Sequence, residues 1–356
     1  MRKNHWLWLM VAGLGLSSGL WADNTASAGA KAASSEQAAP APSFSSFKEA
    51  YAAGNQALKD RKFTEAAMDY EAAEGLASSP KGKSQAVNAQ GWALLKARKL
   101  DEAKKAFGQA VEDDPTNKIA LKNLGFVSFR RYEYGLAGVD ELKEAVKNLE
   151  ASGEDPELLE RAKGAMTRED DYAKATPEAE EDLSSMSFKA LLALGDKVQA
   201  EGQFEEAMKV FKQAESIAKS PAAKATAANR QGKVLLDARK PNESVAYFEE
   251  AVKEEPKEKV YLNNLGFGYW VLYDSGKGGA ADLKKSVDAF YQMNSIDPSY
   301  HGENLKMALD ELKDADPDAA KSYSVKEDNE SEDNQAAGDD SGSAKKDENA
   351  PANTAQ

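Results

Sequence analysis

The clearest pattern along the chain is helical. Ala103, Phe107 and Ala110 fall three and four positions apart, on one face of a helix, with charged and polar residues between them. Asp114-Pro115 ends that run, because proline has no N–H to continue a helix and its ring clashes with the preceding turn. The clearest unit runs from Val87 to Pro115: Gly91 lies in its first helix, and Lys99-Leu100 marks the turn between the two. The predicted unit is a helical hairpin, in which Gly and Ala let the paired helices approach and Phe fills the gap between neighbouring hairpins. Two further helices are predicted where Leu158, Leu159 and Ala162 share a face over 157–166, and where Leu305, Leu309 and Leu312 do so over 299–315.

The pattern repeats. At one constant offset, Gly54 falls on Gly195, Phe63 on Phe204, Pro80 on Pro221, Gly91 on Gly232, Phe107 on Phe248 and Pro115 on Pro256. The run Asn123-Leu124-Gly125-Phe126 returns unchanged as Asn264-Leu265-Gly266-Phe267, and no gap is needed from Gly54 to Val146. Agreement over so long an ungapped stretch marks a duplication. Within each half a shorter interval appears: Gly54, Gly91 and Gly125 in the first are matched by Gly195, Gly232 and Gly266 in the second. A period of roughly 34 residues in helix-forming sequence points to stacked helical hairpins, none of which buries its apolar face alone. The fold class that follows is all-α: an α-solenoid made of a duplicated three-hairpin unit, each unit closed by a capping helix.

Gly91, Ala103, Phe107, Ala110 and Pro115 together resemble the tetratricopeptide repeat family, whose glycine, alanine, aromatic, alanine and proline positions they fill. Gly232, Phe248, Ala251 and Pro256 fill four of the same five, with Ser244 in place of alanine. The third hairpins depart from it. The stretches from Gly125 to Pro156 and from Gly266 to Pro298 are longer than the family's, so long turns are expected around 134–140 and 274–281. The resemblance implies a concave groove lined by the first helix of each hairpin. Carried onto this chain, the groove positions are Lys59, Lys96 and Arg130, a basic stripe, with Asn55, Trp92, Phe126, Phe129, Tyr51, Asn88 and Lys122 beside it. In the second half they include Asn229, Phe267 and Trp270, while Ala200, Asp237 and Val271 replace the basic stripe. Asn123 and Asn264 occupy a position that bonds a ligand backbone in some relatives. Such a surface suits an extended peptide with acidic character: amides pair with its backbone, cations with its carboxylates, and aromatics desolvate both.

Charge and composition change this picture at the ends. Arg2 and Lys3 precede an apolar run from Trp6 to Leu16 and then Trp21-Ala22-Asp23, the pattern of a secretory signal cut after Ala22, with Ala26-Ser27-Ala28 as a second cut. Residues 1–22 are therefore read as a signal peptide and export to the periplasm or outside is expected, with membrane attachment only if the leader is retained. Residues 23–43, rich in Ala, Ser and Pro, read as a disordered tether. The first unit is then expected over 44–166, an acidic linker over 167–185, the second unit over 186–316 and a disordered acidic tail over 317–356. Of the formal charge of −14, the stretch from Lys326 onward carries nine acids against three bases, and 167–182 carries seven against two. An acidic balance of this kind argues against nucleic acid as a partner.

Candidate chemistry is sparse. There is no cysteine, which excludes disulfides, thiolate zinc sites and cysteine nucleophiles. After the leader the one histidine is His301, so histidine triads and histidine-based metal sites lack their parts. Carboxylate pairs such as Glu205-Glu206 and Glu249-Glu250 read as ordinary exposed helix positions. Gly276-Lys277-Gly278-Gly279 lacks the spacing of a phosphate loop, and the tail lacks that of a calcium loop. No catalytic residue, metal or cofactor is expected. The function read from the chain is a non-catalytic protein- or peptide-binding scaffold in the bacterial cell envelope. The alternative is a self-assembling protein whose groove takes another copy or its own acidic tail.

Overall fold

The computed structural model describes residues 43–174 and 182–323; the expected signal, most of the tether, 175–181 and nearly all of the tail lie outside the described residues. The described residues up to Ser322 belong to one compact unit. Among the described residues the chain forms α-helices, one short 3-10 turn at Leu183–Ser185, and no strand. The first half holds α1 (Phe47–Lys59), α2 (Phe63–Leu76), α3 (Pro80–Lys96), α4 (Leu100–Asp113), α5 (Lys118–Glu133), α6 (Val139–Ser152) and α7 (Pro156–Lys174). The second holds α8 (Phe188–Ala200), α9 (Phe204–Ser216), α10 (Pro221–Asp237), α11 (Pro241–Glu254), α12 (Lys259–Asp274), α13 (Ala280–Ile296), α14 (Gly302–Ala315) and the short α15 (Pro317–Ala320). Successive helices pack as hairpins and each hairpin packs on the next, with α7 and α14 closing the two series.

Local chemistry sets the helix ends. Ser79 accepts a hydrogen bond from the Gly82 N–H at 3.1 Å and Pro80 opens α3; Ser220 and Pro221 do the same for α10, at 3.2 Å from the Ala223 N–H. These caps satisfy N–H groups that the first helical turn leaves unpaired. The hairpins then close on one recurring contact. Gly91 of α3 lies against the ring of Phe107 of α4 so tightly that a Cβ at 91 would overlap the ring. Gly54 with Tyr70, Gly195 with Phe211, Gly232 with Phe248 and Gly266 with Phe290 repeat it, and Gly125 meets Leu149. The aromatic ring therefore fills the gap inside its own hairpin, rather than the gap between neighbours. It covers the backbone that the missing side chain exposes, which fixes helix separation within the pair.

The capping helices bury the expected faces. Leu158 and Ala162 join Phe129, Tyr132, Leu142 and Leu149 in a buried cluster, and Leu305, Leu309 and Leu312 are all at most 3% exposed. Their extents need correction. α7 runs to Lys174, so 167–174, expected in the acidic linker, is helical; that stretch holds no proline or glycine to break a helix. The short α15 likewise extends order past 316. The third hairpins carry the long turns expected: 134–138 and 275–279 are each longer than the turns at 60–62 and 97–99. Part of the extra length is helical, because α5 continues from Gly125 to Glu133 whereas α3 continues only from Gly91 to Lys96. That added turn of helix carries Tyr132 and, from α12, Asp274 beyond the hairpin edge.

Candidate functional site

The turns joining the two helices of each hairpin line one edge of each half, and those edges meet. Arg61 pairs with Asp314. The Arg98 carbonyl lies where a Cβ on Gly276 would be, and the Arg239 carbonyl where a Cβ on Gly135 would be. The ring of Tyr172 lies where a Cβ on Gly202 would be. The seam thus has four rungs running in opposite directions along the two halves: 61 with 314, 98 with 276, 135 with 239, and 172 with 202. Under the duplication Arg61 corresponds to Gly202, Arg98 to Arg239 and Gly135 to Gly276, while Tyr172 corresponds to Asp314 one place beyond the common offset. The seam is a pseudo-two-fold interface inside one chain. Backbone conformation supports this reading. Arg61, Arg98 and Arg239 have φ of 57°, 62° and 59°, a left-handed conformation that costs a non-glycine residue about 1 kcal/mol. Arginine offsets that cost through the bonds its side chain makes across the seam.

Those bonds are also paired. The Arg239 guanidinium lies 4.1 Å from the Tyr132 ring centroid, donates to the Tyr132 hydroxyl at 2.8 Å and bonds Glu169 of α7. Its counterpart Arg98 lies 5.0 Å over the Tyr273 ring and pairs with Glu311 of α14 at 2.9 Å. Tyr132 and Tyr273 are separated by the common offset, and Glu169 and Glu311 by one place more. One element breaks the symmetry. Asp274, 2% exposed, bonds Arg98, Arg130 and the Tyr134 hydroxyl, all from the first half. Glu133, its counterpart, pairs with Arg161 of its own half at 3.2 Å. Burial pushes the Asp274 carboxyl up to about 6, against the pull of Arg98; burial likewise draws Arg130 down to about 10. Burial also works against the charge of Arg98, but Glu311 and Asp274 outweigh it and its pKa ends above the usual range.

The groove residues expected from the sequence divide accordingly. Arg130 is occupied: besides Asp274, it stacks over Phe126 at 5.5 Å and Trp270 at 5.9 Å. The stripe is therefore not three open cations. Lys59 is exposed in the last turn of α1. Lys96 is exposed too and lies 5.0 Å over the Trp92 ring; surrounding protein, then Arg98 and Arg61, lower its pKa. Tyr51 stacks on Phe47 and meets Tyr70 edge-on, so it is a packing residue, and Asn55 accepts from the Tyr70 hydroxyl at 2.8 Å. Asn123 donates to Asn88 at 3.0 Å, and Asn264 to Asn229 at 2.8 Å, forming matching amide rungs between the first helices of the second and third hairpins. Each rung uses one end of each amide. Lys122 is half-buried on α5, and Phe267 lies 6.0 Å from Trp270, whose indole N–H is buried without a partner.

The second half presents Asp237 where the first has Lys96. Gln199 donates to its carboxylate at 2.6 Å, yet burial pushes its pKa from 3.8 up to about 6. A carboxyl whose folded pKa is raised binds protons more tightly when folded. Its contribution to stability is thus present below about pH 4 and is lost as pH climbs through 6. Asp237→Asn is expected to raise stability at pH 7.5 by about 2 kcal/mol while leaving it near wild type at pH 4. Urea unfolding at the two pH values checks the sign; equal effects at both would contradict it.

Arg61, Arg98, Arg239, Glu169, Asp274, Glu311 and Asp314 were not among the expected site residues. The duplication aligns Arg98 with Arg239, Tyr132 with Tyr273 and Gly135 with Gly276, but it does not say which residues face them. Among the described residues no cluster of three or more His, Asp or Glu side chains could hold a metal ion, and no helix is long and apolar enough to cross a membrane.

A tetratricopeptide repeat family model matches residues 88–156. No curated protein matches the chain. Among solved structures, the TPR2AB domain of yeast Sti1 in its pHSP90 complex is 15% identical, covering 75% of this chain and 96% of that one at a TM-score of 0.28. A tetratricopeptide repeat protein from Parabacteroides merdae is also 15% identical, covering 74% and 98% at 0.30. A thermophilic TPR protein of Thermus thermophilus is 14% identical, covering 75% and 100% at 0.26. With the family match over 88–156 and the same glycine–aromatic hairpin repeated on both sides of it, the described chain is an α-solenoid of tetratricopeptide-like repeats.

Proposed function

We propose that the chain is a non-catalytic scaffold that binds an extended, acidic protein segment along the inner face of its first half, in the bacterial cell envelope. The tetratricopeptide-like fold points to protein binding, and one observation carries the finer reading. Lys59 and Lys96 remain exposed on successive first helices, Trp92 lies beneath Lys96, and the half-buried Asn88 beside them uses its amide oxygen to accept from the buried Asn123. Arg130 drops out of the ligand site and helps to hold the second half in place. The envelope setting rests on the leader at 1–22, read from sequence.

The test is affinity capture from a detergent-solubilised envelope extract, with the mature chain and a Lys59→Glu/Lys96→Glu variant as parallel baits. Arg130 is left intact, since reversing it would break the seam as well as any groove. The variant is expected to fold and to lose its partner about tenfold or more, the effect of roughly 1.4 kcal/mol or more of lost charge complementarity. Equal capture by both baits would place the partner on another face.

A further inference from the structure

Beyond the binding role, we propose that the seam is a docking surface for a second copy of this chain, which binds by exchanging halves. The second half of one copy takes the place of the second half of the other against the first, and the reverse. Three observations carry this. The rungs come in symmetry-related pairs, so the seam has the self-complementary form of a two-fold interface between identical subunits. It is built from turns, helix ends and ion pairs, and among the described residues no hairpin helix of one half packs along a hairpin helix of the other. Each half also keeps its own apolar clusters: Phe129, Leu142 and Leu149 in the first, and Leu191, Phe211 and Val234 in the second. A half can therefore leave the seam with its hairpins intact, and a second copy offers it the same surface. The closed monomer is favoured at low concentration, because its halves are tethered at an effective concentration in the millimolar range. Exchange gains ground as protein concentration rises.

The Arg239–Glu169 rung gives a test on the full chain. One copy carries Glu169→Arg and another Arg239→Glu. Closed on itself, either copy sets like charges against each other. In a mixed exchanged dimer, one seam joins the two changed residues with their charges reversed, and the other seam is wild type throughout. The single variants are expected to run as monomers with lowered thermal midpoints. Annealing them together at high concentration should yield a species of twice the mass, containing both copies by tag capture, with its midpoint restored. One chain carrying both changes repairs its own rung and should match the wild type in midpoint and in mass at every concentration. If either variant does not fold alone, recovery of helix by circular dichroism on mixing supports exchange just as well. A mixture that stays monomeric, or that recovers neither helix nor midpoint, overturns the proposal.

Discussion

Asp274→Ala is expected to destabilise the chain by about 3–5 kcal/mol, more than any other single charge removal at the seam. Asp274 answers two guanidiniums, Arg98 and Arg130, and accepts from the Tyr134 hydroxyl while almost fully buried. Removing it takes from Arg130 the carboxylate that answers it, leaves Arg98 with Glu311 alone and strips the Tyr134 hydroxyl of its acceptor. The expected loss is that of orphaned charge, rather than of the pair's net worth. Asp274→Asn should cost less, because its amide oxygen still accepts. Urea unfolding followed by circular dichroism measures both. A loss for the alanine variant below about 1 kcal/mol would mean that the halves do not meet through Asp274 in solution.

The second large effect lies inside a hairpin. Phe107 is 0% exposed and its ring covers the bare backbone of Gly91, so Phe107→Ala should cost about 3–5 kcal/mol. Phe248→Ala, with the same contact to Gly232, should cost a similar amount. The contact also makes a coupled prediction. Gly91→Ala drives a methyl into the ring and should cost about 1–3 kcal/mol in the wild type. In the Phe107→Ala background that ring is gone, and the same change should be close to neutral or stabilising, since alanine favours helix over glycine. Additive losses in the double variant would show that Gly91 and Phe107 do not pack as described.

These two predictions differ in how far the sequence alone reaches them. Gly91, Phe107 and Pro115 are local signals: spacing along one helix and one turn tells which side chains share a face, and the second copy, through Gly232, Phe248 and Pro256, repeats it. The hairpins, the duplication, the caps through Leu158 and Leu305 and the long third turns were legible for that reason. The seam was not. Its outermost rung joins Arg61, just after α1, to Asp314, at the end of α14, and no periodicity connects them. The basic stripe shows the consequence. Lys59, Lys96 and Arg130 share one type of helix position, but only Arg130 lies on the third hairpin's first helix, which runs further past its glycine to where the other half supplies Asp274. A helix position says which way a residue faces and leaves open what faces it. The acidic run at 167–174 misled similarly: Glu169 and Tyr172 look like solvated chain until Arg239 and Gly202 come up against them.

The two halves lock through residues that answer one another across the duplication. A double-mutant cycle at the outermost rung, Arg61→Ala with Asp314→Ala, tests this most directly, because neither residue can reach the other unless the whole seam closes. Measured by urea unfolding at low protein concentration, the two changes are expected to be non-additive by about 1 kcal/mol or more. Additivity within about 0.3 kcal/mol would contradict the account.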